Sequence, residues 1–196
     1  MSKISPKAIN CPFCNESQVA NIYDSVNVTI DPSLKQKVLN GTLNDKNCDS
    51  CGKAINIISG LLYHDMTQKL MISLNTSDEP GITFDNKNPF LKMEGYIVRE
   101  VKEYYDLIEK ITIFDNGLND EVLAALAEGF SSSLNEIVKD AKLYVFFDRI
   151  EKSLFKKKIV FKCFTHPSQM MELKQPISKL DKAQQSLLFN MDVLRN

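Results

Sequence analysis

The chain has 196 residues, 25 acidic against 24 basic, for a formal net charge of −1. That length accommodates one well-buried core or a compact domain with an appended subdomain, and excludes two enzyme-sized domains. The near-neutral balance supplies no global field for nucleic acid or an anionic membrane, and 43% hydrophobic with 25% charged residues is the composition of a folded globular chain.

Residues 1–7, Met-Ser-Lys-Ile-Ser-Pro-Lys, read as an N-terminal tail: they carry positive charge, and no apolar run of signal-peptide length follows. The longest apolar runs fall far short of the roughly 20 residues that cross a bilayer. A cytoplasmic protein is the expectation. In that reducing compartment clustered cysteines are better read as metal ligands than as disulfides.

Four of the five cysteines form two Cys-x-x-Cys pairs, Cys11-Pro-Phe-Cys14 and Cys48-Asp-Ser-Cys51, the second followed by Gly52. Two intervening residues let a tight turn, or knuckle, present both sulfurs to one metal while turn amides hydrogen-bond the thiolates. Gly52 suits the left-handed backbone with which a knuckle leaves its metal, and Pro12 presets one backbone angle in the first. The doubled pair points to one metal ion held by Cys11, Cys14, Cys48 and Cys51. Zinc is the expected ion, one per chain, with iron as the second choice because tetrahedral sulfur suits both. Disulfides or redox pairs are the competing reading. Four protein thiolates leave no open coordination position, which makes such a site structural rather than catalytic. Cys163, in an alternating segment, reads as a buried hydrophobe.

In chain order, a strand over residues 18–30 departs from the first knuckle. Asp31-Pro32 then opens a short helix with Leu34, Val38 and Leu39 on one face, ending at Asn40-Gly41. Residues 54–58, 61–64 and 69–74 read as strands of a zinc-ribbon sheet, and residues 75–88 as a polar loop. Apolar residues at helical spacing, among them Ile97, Val101, Tyr104, Tyr105, Ile108 and Ile111, predict a helix over 95–114, closed by Asn116-Gly117. A second helix, capped by Asn119 or Asp120, carries Val122, Leu123, Leu126, Ala127, Phe130, Leu134, Ile137 and Val138. Residues 144–147 and 159–164 predict a hairpin around a turn at 151–158, and a weaker helix follows over 179–192. The expected class is α+β: a zinc-ribbon-like antiparallel sheet with a short helix between the knuckles, then a helical pair and a C-terminal hairpin. The expected domains are 8–130, the ribbon with its helical continuation, and 131–196, an extension packed on the same core.

The order Cys11-Pro-Phe-Cys14, Asn40-Gly-Thr-Leu-Asn44, Cys48-Asp-Ser-Cys51-Gly52 and Leu62-Tyr63-His64-Asp65 resembles the CpXC-domain family. Arg99 and the stretch from Glu109 to Asp120 continue the likeness, which spans residues 8–130. The resemblance implies a prokaryotic protein with a zinc site and a fold, and names no activity. Asn15 stands where that family more often has glycine, and asparagine tolerates the left-handed conformation required there.

Three further features admit a functional reading. His64-Asp65 could be an acid/base pair, although adjacent strand residues point to opposite faces and a turn role is the simpler reading. His166 is a lone turn histidine. Lys156, Lys157 and Lys158 with Phe155 and Phe161 could meet nucleic acid, although three lysines on a turn are usually solvated. Tyr104-Tyr105 reads as core packing with a polar rim. The expected function is a zinc-stapled binding or interaction module with a protein partner and no membrane association. The alternatives are an enzyme with its pocket near His64/Asp65 and a nucleic-acid-binding ribbon.

Overall fold

The computed structural model describes residues 2–76, 95–135, 143–154, 156–165 and 169–195. The chain divides into two compact units, Met1–Ile108 and Glu109–Asn196.

The first unit is built on two hairpins, each carrying a Cys-x-x-Cys pair at its tip. Strands β1 (Lys3–Asn10) and β2 (Ser17–Asn27) pair antiparallel, with Asn10 opposite Ser17. Residues 3–7, expected as a tail, are therefore most of β1. The sequence conceals this strand because an edge strand with Pro6 and two lysines shows no apolar stripe. Along β2, Ala20 and Ile22 turn inward while Val19 is exposed. Helix α1 (Ser33–Leu39) follows and buries Leu34 and Val38. The Asp31 carboxylate accepts from the Ser33 amide and hydroxyl just ahead of it. Next comes the second hairpin, β3 (Lys46–Asn47) and β4 (Ala54–Ile55), much shorter than the strand expected over 54–58.

Strands β5 (Leu61–Asp65), β6 (Leu70–Leu74) and β7 (Ile97–Val101) complete a five-stranded sheet in the order β1-β2-β5-β6-β7. The sheet is mixed: β1–β2 and β5–β6 are antiparallel, β2–β5 and β6–β7 parallel. β6 is buried along its whole length, which is why its sequence is almost continuously apolar. The helix expected over 95–114 is instead β7 followed by helix α2 (Tyr104–Asp115). Ile97, Val101 and Tyr104 match helical spacing by coincidence; the β-branched run Ile97-Val98 and the open edge of β6 decide for strand. Tyr104 donates its hydroxyl to the Val38 carbonyl at 2.6 Å, whereas Tyr105 is 73% exposed.

In the second unit, Gly117 (φ +64°) closes α2, and Leu118 N–H returns to the Ile113 carbonyl. Asn119 caps helix α3 (Asp120–Asn135), its side-chain oxygen accepting from the amides of Glu121 and Val122. Of the positions expected on this helix, Ile137 and Val138 lie outside the described residues. Strands β8 (Leu143–Ser153), β9 (Lys156–Thr165) and β10 (Gln169–Pro176) form an antiparallel sheet in the order β10-β9-β8. The expected hairpin thus has longer arms and a third strand, and helix α4 (Lys182–Leu188) is shorter than the one anticipated. Leu123, Phe147, Ile159, Phe161 and Leu188 form this unit's core, with Phe130 edge-on to Phe161 at 5.4 Å. A buried ion pair, Lys110 Nζ to Asp120 at 2.6 Å, joins α2 to the first turn of α3.

Candidate metal centre

Each hairpin tip solves the same problem in the same way. Cys11 N–H donates to the Glu16 carbonyl and Asn15 N–H to the Cys11 carbonyl; Cys48 N–H donates to the Lys53 carbonyl and Gly52 N–H to that of Cys48. All four bonds are 2.9 Å. The residue closing each turn is left-handed, Asn15 at φ +60° and Gly52 at φ +72°. The two knuckles are therefore congruent, and asparagine does in the first what glycine does in the second. A Cβ at Gly52 would meet nothing within 4 Å, so Gly52→Ala carries only the conformational cost. Urea unfolding of the metal-loaded protein is expected to show a loss of about 1 kcal/mol.

Between the knuckles the four sulfurs lie within 4.8 Å of one another, Cys11 to Cys51 at 3.8 Å and Cys14 to Cys48 at 3.7 Å. Four thiolates bound tetrahedrally at about 2.3 Å stand about 3.8 Å apart, so donor set and spacing fit zinc or iron. The Phe13 amide points at Cys11 Sγ and the Cys51 amide at Cys48 Sγ, both at 3.5 Å. Such donors offset thiolate charge. The Cys51 amide is the chief cause that brings the Cys48 thiol down to about 6. At Cys14 the Glu16 backbone acts to lower the thiol, but desolvation and the three neighbouring sulfurs carry it up to about 12. Cys11 and Cys48 are buried; Cys14 and Cys51 are more exposed.

The surroundings fix the second knuckle to β2. Gln18 Oε1 accepts from the Asp49 amide at 2.9 Å, and Lys46 Nζ bridges the Val19 carbonyl and the Asp49 carboxylate. Lys53 sits 4.9 Å over the Phe13 ring, linking the two tips. Sequence spacing identified the four cysteines; these clasping residues carry no local signal, because they depend on how the hairpins meet.

The other sequence-derived sites fare differently. His64 and Asp65 do not share a site. Asp65 is buried and caps the β5–β6 turn, its Oδ1 accepting from the amides of Thr67 and Gln68 at 3.0 and 3.1 Å. His64, on the opposite face, lies between Asn27 and Tyr96, with Nδ1 3.4 Å from Asn27 Nδ2 and Nε2 3.3 Å from the Tyr96 hydroxyl. Asn27 Oδ1 is taken by the amides of Thr29 and Ile30, so its NH₂ group faces the ring and His64 Nδ1 must accept. With Nδ1 accepting, the neutral tautomer that fits this surrounding carries its proton on Nε2. Burial holds its pKa below the usual 6.5, against the pull of Asp65. An unfolded chain therefore takes up this proton first, and stability present above the ordinary imidazole range is lost as pH falls through it. Urea midpoints at pH 7 and 5 are expected to differ less for His64→Gln than for the wild type.

Cys163 is buried, and burial pushes its thiol up. His166 and Phe155 lie outside the described residues. Lys156, Lys157 and Lys158 begin β9 instead of standing on a turn, so successive lysines point to opposite faces.

Two hairpins that bring four thiols to one point, within an α+β chain, define a zinc-ribbon-like protein. The family described as CpXC protein matches residues 9–127, both knuckles included. The chain belongs to that family, as the order of its motifs suggested. No curated protein and no solved structure matches it. Among the described residues no helix is long and apolar enough to cross a membrane.

Proposed function

We propose that the chain holds one zinc ion through Cys11, Cys14, Cys48 and Cys51 as a structural staple, and acts as a module that binds a protein partner in the cytoplasm. The observation that carries this reading is the closed donor set: four protein sulfurs at tetrahedral spacing leave no position for water or substrate. The metal's chemistry is thus to hold two hairpins, and function moves to the surface they support. A recess of about 420 Å³ in the first unit, lined by Ile58, Asn75, Lys102, Glu103 and Tyr105, suits a side chain of a partner. Ile58 and Tyr105 expose apolar surface at its rim, and aromatic side chains of this kind anchor protein interfaces.

Neither alternative gains a specific observation. The separation of His64 from Asp65 argues against a paired acid and base there, and the alternation of the lysines argues against a continuous basic patch. Elemental mass spectrometry on untagged protein is expected to give one zinc per chain. A partner retained by the wild type is expected to be lost on Tyr105→Glu with metal content and folding unchanged. A chain that carries iron, or that turns over a substrate once purified, overturns the reading.

A further inference from the structure

The exposure of the four cysteines is unequal in a way that holding a metal does not require. Each knuckle buries its first cysteine and presents its second: Cys11 and Cys48 lie inside, Cys14 and Cys51 outside. Each outer sulfur also has an inner sulfur of the other knuckle close by, Cys14 to Cys48 at 3.7 Å and Cys51 to Cys11 at 3.8 Å. A reagent arriving from solvent therefore meets an exposed cysteine whose resolving partner is already placed across the hairpin interface.

We propose that Cys14 is an oxidation site for small hydroperoxides, resolved by Cys48, so that the metal centre converts to a disulfide that bridges the knuckles and expels its zinc. This rests on the zinc reading above. In the first step the Cys14 thiolate attacks the distal peroxide oxygen. The O–O bond breaks, the alkoxide or hydroxide takes a proton from water, and Cys14 becomes a sulfenic acid. In the second step the Cys48 thiolate attacks that sulfur, forms the S–S bond and releases hydroxide, which is likewise protonated. Two thiolates and one hydroperoxide, with two protons, give one disulfide, one alcohol and one water. The sulfurs lose two electrons and the peroxide gains them. Zinc, left with two of four ligands, departs as Zn²⁺.

The bridge is drawn across the knuckles because both close sulfur pairs, at 3.7 and 3.8 Å, lie across them. An S–S bond of about 2.05 Å requires the sulfurs to close by about 1.7 Å.

The test uses the full zinc-loaded chain and hydrogen peroxide, with a chromogenic chelator reporting released zinc and non-reducing tryptic mapping reporting the disulfide. Trypsin separates the knuckles into peptides 8–35 and 47–53, so a bridge between them links two peptides whereas a bridge within either does not. The expected result is zinc release in step with a linked 8–35/47–53 species, about one zinc per bridge, with Cys163 recovered as a free thiol. Retention of zinc under peroxide, or release accompanied only by disulfides within a knuckle, overturns the proposal and leaves the zinc reading standing. A chain that carries no zinc before oxidation removes the zinc reading itself and this proposal with it.

Discussion

Replacing Cys48 with serine is expected to abolish stoichiometric zinc and to lower the thermal midpoint by on the order of 10 °C or more. Cys48 is the buried cysteine of the second knuckle, with the Cys51 amide on its sulfur and its own backbone closing the turn through Lys53 and Gly52. Serine keeps the backbone bonds and removes the soft, ionisable donor. Affinity is expected to fall by more than the 10- to 100-fold that follows loss of an outer-shell partner alone. Elemental analysis and a thermal melt of the same preparation check the two parts. Adding zinc to Cys48→Ser is expected to recover little of the midpoint, whereas adding it to metal-stripped wild type is expected to recover it fully. Equal melts for wild type and variant, both metal-free, would refute a stapling role.

The second large effect lies far along the chain from the cysteines. Lys110→Met is expected to destabilise the protein by about 3 kcal/mol, because the Asp120 side chain is 1% exposed and loses the Lys110 ammonium 2.6 Å away. The position of Asp120 in the first turn of α3 offsets part of the cost through the helix dipole. Adding Asp120→Asn to Lys110→Met is expected to restore more than half of the loss, since the buried charge is then gone. Chemical denaturation of both single variants and the double variant measures the coupling. Additive losses would show that the pair contributes nothing beyond its separate parts.

What the sequence disclosed follows from how local each cause is. A knuckle is specified within six residues, so both were legible, including the left-handed positions at Asn15 and Gly52. The caps at Asn119 and Gly117 were legible for the same reason. Strand β7 was not, because Ile97 and Val101 fit a helix face as well as a strand, and the choice is made by pairing with β6. Strand β10, Gln-Met-Met-Glu-Leu-Lys-Gln-Pro, lacks β-branched residues altogether and exists through its ladder with β9. Likewise the clasp of Gln18, Lys46 and Asp49 around the second knuckle depends on residues distant in sequence meeting in space. The separation of His64 and Asp65 could be anticipated from alternation alone, whereas the buried Asn27 that sets the imidazole tautomer could not.

The parallel pairing of β2 with β5 has a kinetic consequence. Ser25 meets Leu62 across 37 residues of chain, and that crossover contains α1 and the whole second knuckle. A metal bridging the two tips short-circuits the route, leaving an effective separation of about 22 residues through the ion. By loop-closure entropy this changes the equilibrium by only about half a kcal/mol. It acts, however, on a long-range parallel contact of the kind that slows folding. Metal held there during refolding is therefore expected to guide the topology: the ribbon can assemble early and deliver β5 to β2 in register, while a metal-free chain must search for that pairing across the full crossover.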